Sequence, residues 1–188
     1  MEINKQAQSQ GFMYGLQAVR FKEKLLGYIE KNSFDLGGTK AESVDIEAEQ
    51  VPTAPVLTIL QKNATIKPKF NLIQLKYEYL KEIMGGELVT EGEGESAKVV
   101  GWKAPAGLVQ ISGAMQIDTP SGHRIDIFNG TLNANLGGGL KMGELAKAEC
   151  ELSVNAPENG GEPYQIIDIP EDGAVKKTAE APNNEPAE

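Results

Sequence analysis

The chain has 188 residues, 40% hydrophobic and 24% charged, with 18 Lys and Arg against 27 Asp and Glu and a formal net charge of −9. That length fits one ordinary domain or slightly more. One histidine, one cysteine and no apolar run near the ~18–20 residues of a membrane helix exclude a disulfide scaffold, a Cys/His zinc site and a spanning helix, and the carboxylate excess argues against a protein that grips phosphate backbones through clustered Lys and Arg.

Met1 to Gly15 has no basic cluster followed by an apolar stretch, so it does not read as a secretory signal, and a cytosol-like compartment is expected. Residues 1–17 read as an N-terminal arm. Glycine is frequent, 21 residues spread between short alternating segments, which is the punctuation of an antiparallel β protein. Ala18 to Lys22 and Leu25 to Glu30 read as a hairpin opening a β domain over about 18–156. Lys31 to Glu42 is a polar, Gly-containing loop. Its Phe34 and Leu36 have no strand to sit in, which suggests that the loop docks on something.

Ser43 to Glu49 sets Val44, Ile46 and Ala48 against acids, and Val56 to Leu60 and Thr65 to Phe70 add two more candidate strands. One short helix is expected at about 72–84, because Asn71 and Gln74 resemble a capping box and Gly85-Gly86 supplies a stop. Leu72, Leu75, Tyr79, Leu80 and Ile83 form its buried stripe. Ile73, Leu75, Tyr77 and Tyr79 also alternate as a strand would; the caps and the length favour helix.

From Gly107 to Thr119, Val109, Ile111, Met115 and Ile117 share one face and Gln110, Ser112, Gln116 and Asp118 the other. Pro120 to Gly122 is turn chemistry, and His123 to Phe128 resumes the alternation. Asn129-Gly130 is a second turn signal, Thr131 to Leu136 alternates again, and Gly137 to Gly139 reads as a break. Glu144 to Val154 then places Ala146, Ala148, Cys150, Leu152 and Val154 on one side. The class is therefore mainly β, with a meander belonging to an antiparallel sandwich or barrel. From Pro157 the composition turns to Pro, Glu, Asn and Gly, with Tyr164 to Ile169 an edge strand or extended arm over 157–170. Residues 171–188 hold five acids and two lysines, net −3, and are expected to be disordered or ordered only by a neighbour.

Catalytic chemistry finds little support. His123 is the only candidate base for a nucleophilic triad and reads as a solvent-facing turn residue. Cys150, within an every-second-residue apolar pattern, reads as a buried small hydrophobe. Carboxylates are plentiful enough for a glycosidase-like pair, yet Asp118, Asp126, Glu149 and Glu151 fall on polar strand faces, as solvating charges do. Gly92 to Ala97 fits a dinucleotide fingerprint by letter, but Glu87, Glu91, Glu93 and Glu95 would repel a pyrophosphate, and Gly138 with Gly143 has Walker spacing followed by Glu144 where Lys is required. Both read as loops. The sequons at Asn63 and Asn129 mean little without a secretory signal. No catalytic, metal or cofactor-binding residue is assigned and no cofactor is expected, which leaves a building block or a binding module rather than an enzyme.

The segment from Met115 through Leu140, followed by Met142 to Tyr164, resembles the major tail (tail tube) proteins of tailed bacteriophages. Leu25 to Glu30, with the long loop and acidic alternating strand after it, is similar to that family's N-terminal half. The resemblance spans about Val19 to Tyr164 in pattern and order. It implies a tail-tube-like β-sandwich or half-barrel that forms hexameric rings, stacked into a hollow tube with other tail proteins. The virion, assembled in a host cytoplasm, is then the location. It also implies that the inner sheets join into one barrel whose lumen DNA crosses during ejection without being specifically bound, and that no membrane is involved. On this resemblance, Phe34, Asp35, Leu36, Gly37 and Gly38 belong to a ring-stacking loop, and Tyr164, Ile166, Ile167 and Ile169 to an inter-subunit arm. A type VI secretion or contractile-injection tube protein is a near relative of the same pattern. The alternative from the residues alone is a β-sandwich module that binds carbohydrate or a cell-surface partner.

Overall fold

Period-two alternation downstream of residue 110 builds three long strands, β8 (Ile111–Asp118), β9 (His123–Lys141) and β10 (Glu144–Val154), and the other elements assemble around them. The computed structural model describes residues 3–92, 97–157 and 159–169; the acidic segment 171–188 lies outside them. In chain order the upstream elements are α1 (Lys5–Ser9), β1 (Ala18–Phe21), β2 (Lys24–Leu25), β3 (Glu42–Ile46), β4 (Leu57–Lys62), β5 (Lys69–Leu72), α2 (Tyr77–Met84), β6 (Glu87–Glu91) and β7 (Lys98–Lys103), and β11 (Tyr164–Asp168) comes last.

Seven strands form one antiparallel sheet in the order β2-β1-β8-β9-β10-β5, with β11 added against β9; β3–β4 and β6–β7 are separate two-stranded hairpins. The mainly β, antiparallel class expected from the alternation is what the chain adopts, as an open sheet rather than a closed barrel. β9 organises it. Its first half pairs with β8 on one side and β11 on the other, and its second half pairs with β10.

Register carries the core. Val19 lies opposite Ile117 and Ile117 opposite Ile125, while Leu132 faces Leu152, Cys150 faces Phe70 and Ala148 faces Leu72, so one sheet face is a continuous apolar layer. All these residues are buried, and α2 adds Ile83 to the same cluster. A one-residue slip in any strand would turn its set to solvent, which is why the pairing is unique.

Several expectations are corrected. The helix runs from Tyr77, not from Leu72, because Phe70 and Leu72 continue the strand alternation into the core as β5. Asn71 caps nothing: its side chain donates to Glu30 Oε2 at 2.6 Å, and its N–H to Ser33 Oγ at 3.1 Å. The Asn129-Gly130 turn and the Gly137–Gly139 break do not occur, since β9 runs through both. At Gly130 an added Cβ would meet the Leu152 side chain at 2.9 Å, so this glycine makes room across strands instead of bending the chain. Gly138, at φ +78, stands near the register shift between β9 and β10, and the reading of Gly138 to Gly143 as a loop holds only for the turn at 142–143. Gly92 lies just past the end of β6, which pairs with β7, and residues 93–96 of the expected Gly92 to Ala97 loop lie outside the described residues.

Candidate functional site

The loop after β2 is laced to its own chain. Phe34 stacks on Phe70 with ring centroids 6.0 Å apart, and the Asp35 backbone exchanges hydrogen bonds with Lys69 at 2.9 and 2.8 Å. Asp35 Oδ1 accepts from the Gly37 N–H at 2.9 Å, and Leu36 O accepts from the Lys67 N–H at 2.9 Å. Gly38 sits at φ +125 with its backbone so close to Thr65 that a Cβ would lie 2.2 Å from the Thr65 carbonyl oxygen. The apolar anchor Phe34 is therefore spent on the core beneath the loop, and Leu36 is the large apolar side chain of this group left in contact with solvent.

The second predicted group lies on β11. Tyr164 packs against the core, opposite Ile127, and Ile166 and Ile167 face Ile125 and Arg124 of the same chain. Ile169 N–H donates to Gly122 O at 2.8 Å. Of the two readings of this segment, edge strand and extended arm, the structure places it as an edge strand; Ile166 is its exposed apolar residue.

The residues best placed to meet another surface are elsewhere. Across the β3–β4 hairpin, Val44 faces Ile59 and Ile46 faces Leu57, so four apolar side chains share one face, all of them exposed. Asp45 faces Thr58 on the other face and accepts its hydroxyl at 2.6 Å. The ribbon formed by the ends of β9 and β10 carries Leu140 at 91% exposure and Met142 at 104%. Among the described residues no strand pairs with β9 beyond Leu132 on its β8 side, so the edge from Asn133 to Lys141 is open there. Edges are usually guarded by charge or Pro. This one carries Asn, Gly and Leu, with a single terminal Lys. The sequence signals were legible as alternation over Ser43 to Glu49, as the candidate strand Val56 to Leu60 after the Pro52 to Pro55 turn, and as Leu140-Lys-Met142 between glycines, but a strand pattern alone does not say which apolar face lacks a cover.

A polar network fastens the β8–β9 turn. Ser121 Oγ lies 3.2 Å from His123 Nδ1, and His123 Nε2 is 3.6 Å from Asp168 Oδ1. The order hydroxyl, imidazole, carboxylate mimics a hydrolase relay. Ser121, however, is 0% exposed, and its hydroxyl is shared with Thr119 Oγ1 at 2.9 Å and the Tyr14 N–H at 3.3 Å. His123 is buried rather than solvent-facing: β11 pairs alongside it, and Gln8 of α1 caps the adjacent turn by donating to Gly122 O at 2.8 Å.

Asp118 and Asp126 are likewise buried and not solvating. Burial raises the Asp118 carboxyl, but hydrogen bonds from Arg124 and Arg20 outweigh it and hold the group below the usual carboxylate range. Arg124 Nε donates to Oδ1 at 2.6 Å, and Arg20 reaches Oδ2. A depressed carboxylate contributes stability that is present above its unfolded-state pKa and is lost as pH falls through the folded one. Asp118→Ala is expected to cost about 3 kcal/mol, the low end for orphaning a buried charge because Arg20 retains solvent contact. Urea denaturation at neutral pH measures the cost, and the gap from wild type narrows as pH falls below about 4. Asp126 takes Gln165 Nε2 at 3.1 Å on Oδ2, while its buried Oδ1 accepts no hydrogen bond from any described residue.

Burial pushes the Cys150 thiol up to about 12. The expected result is no reaction with a thiol reagent in the native state and full reaction in denaturant, read by mass spectrometry. Among the described residues no group of three or more His, Cys, Asp or Glu is placed to hold a metal ion, and no helix is long and apolar enough to cross a membrane.

Comparison with protein-family models and with curated proteins returns no match for this chain.

Proposed function

We propose that this chain is a structural subunit that assembles with copies of itself into stacked, six-membered rings forming a tube, the function implied by its resemblance to phage tail tube proteins. The observation that carries the reading is the edge of β9 from Asn133 to Lys141, open among the described residues, guarded by one terminal Lys alone, with Leu140 on it and Met142 just beyond it in solvent. An edge of this kind invites a strand from another chain, and closed symmetry is the ordinary way to satisfy every copy at once. In the assembled tube, β9 and β10 extend a neighbour's sheet and the rings enclose a lumen. With a net charge of −9 on the chain, carboxylates facing that lumen repel DNA phosphates within a Debye length of ~8–10 Å, so the genome slides during ejection without being held. Other tail proteins cap and anchor the tube in the virion.

Light scattering across a concentration series tests the reading. Mass rising from one chain toward six-membered and larger species supports it, whereas a strict monomer that gains thermal stability on adding a glycan favours a carbohydrate-binding module instead.

A further inference from the structure

Two surfaces of this chain complement each other and do not meet within one molecule. The first is the apolar face of the β3–β4 hairpin, where Val44, Ile46, Leu57 and Ile59 stand together in solvent. A two-stranded ribbon is marginally stable alone in water, and one with its apolar face uncovered gains most from a cover. The second is a groove of about 540 Å³ between β2 and α2, with Leu25, Tyr28, Tyr79 and Lys76 in its walls and no part of β3 or β4 among its lining. Leu25 is 55% exposed and Tyr28 74%.

Charge pairs the two. The groove lining holds one ionised group, the Lys76 ammonium, and no carboxylate. Residues 42–62 carry Glu42, Asp45, Glu47 and Glu49 against Lys62 alone, a net of −3, and Lys62 is already paired with Glu42 at 2.8 Å.

We infer that the hairpin of one copy seats in the β2–α2 groove of a second copy, its apolar face on Leu25 and Tyr28 and the acids beyond the end of β3, Glu47 and Glu49, toward Lys76. The contact is heterologous: each copy offers a hairpin and a groove, so copies join head to tail and the interaction propagates into a ring or a filament. Its role in a tube rests on the function proposed above, which it deepens by naming a specific contact between copies.

The test mixes full-length Ile59→Cys with a size-tagged Leu25→Cys chain under mild oxidation and reads the mixed dimer on a non-reducing gel. Ile59→Cys mixed with Val100→Cys is the control. All three sites are exposed, so the variants keep the fold, and Cys150 is buried and does not compete. About tenfold more mixed dimer than in the control is expected, because docking raises the effective concentration of the two thiols. Electron micrographs of the same samples separate the two claims. Mixed dimer without tubes supports the docking and sinks the tube; tubes with no excess of mixed dimer overturn the docking and leave the tube; neither product overturns both.

Discussion

Leu140→Lys combined with Met142→Lys is expected to leave the fold intact and to abolish self-association at micromolar concentration. Both side chains are almost fully in solvent in the single chain, so their loss removes no folded contact. In a tube they become covered, and two buried side chains at about 1.5–3 kcal/mol each, with two lysines set on a strand edge in addition, weaken the dissociation constant about 100-fold or more. Analytical ultracentrifugation beside a thermal melt measures both quantities. An unchanged melt with lost association is the predicted pair, and unchanged association would remove the β9 edge from the interface.

Phe70→Ala has the largest expected effect on folding, about 3–5 kcal/mol. Its ring is 1% exposed, lies in the shared core and supports Phe34 of the loop above. That is a large part of the ~5–15 kcal/mol that holds a typical domain together. Urea denaturation reads the loss. Hydrogen exchange reads its second consequence, faster exchange at Thr39 and Lys67, whose N–H groups bond to Thr65 O at 3.0 Å and Leu36 O at 2.9 Å.

What was legible in the sequence followed from local periodicity. The apolar inward residues of β8 and β10, and Ile125 and Ile127 of β9, were readable from alternation, and Cys150 fell on the buried side as expected, whereas the first five residues of β9 are all buried and its run as one strand was not legible. What was not legible depends on partners distant in sequence. His123 looks exposed beside a Pro-Ser-Gly turn, but the strand that runs beside it lies some forty residues later and the helix that caps its turn lies at the N-terminus. Asp118 and Asp126 looked solvating because a strand pattern cannot reveal that Arg20, Arg124 and Gln165 arrive from three different strands.

Glycine misled for a different reason. Turn chemistry at Asn129-Gly130 and at Gly137 to Gly139 is real in isolation, yet Leu152 fills the space above Gly130 and the bulge near Gly138 is absorbed within the β9–β10 pairing. The stacking-loop assignment offered Phe34 to a neighbour because its own segment showed no strand; it packs instead on Phe70 of β5, the strand expected at Thr65 to Phe70, which in the structure ends at Leu72. The apolar face of β3–β4, by contrast, was visible as alternation on β3 and as a candidate strand at Val56 to Leu60, and only the pairing of Val44 with Ile59 and Ile46 with Leu57 makes it one surface.

Negative-stain electron microscopy of the concentrated wild-type chain tests the proposed tube most directly. Rings with a central hole, or hollow filaments built from them with a clear lumen, are expected. Dispersed single particles of one chain's mass at every concentration would contradict the tube.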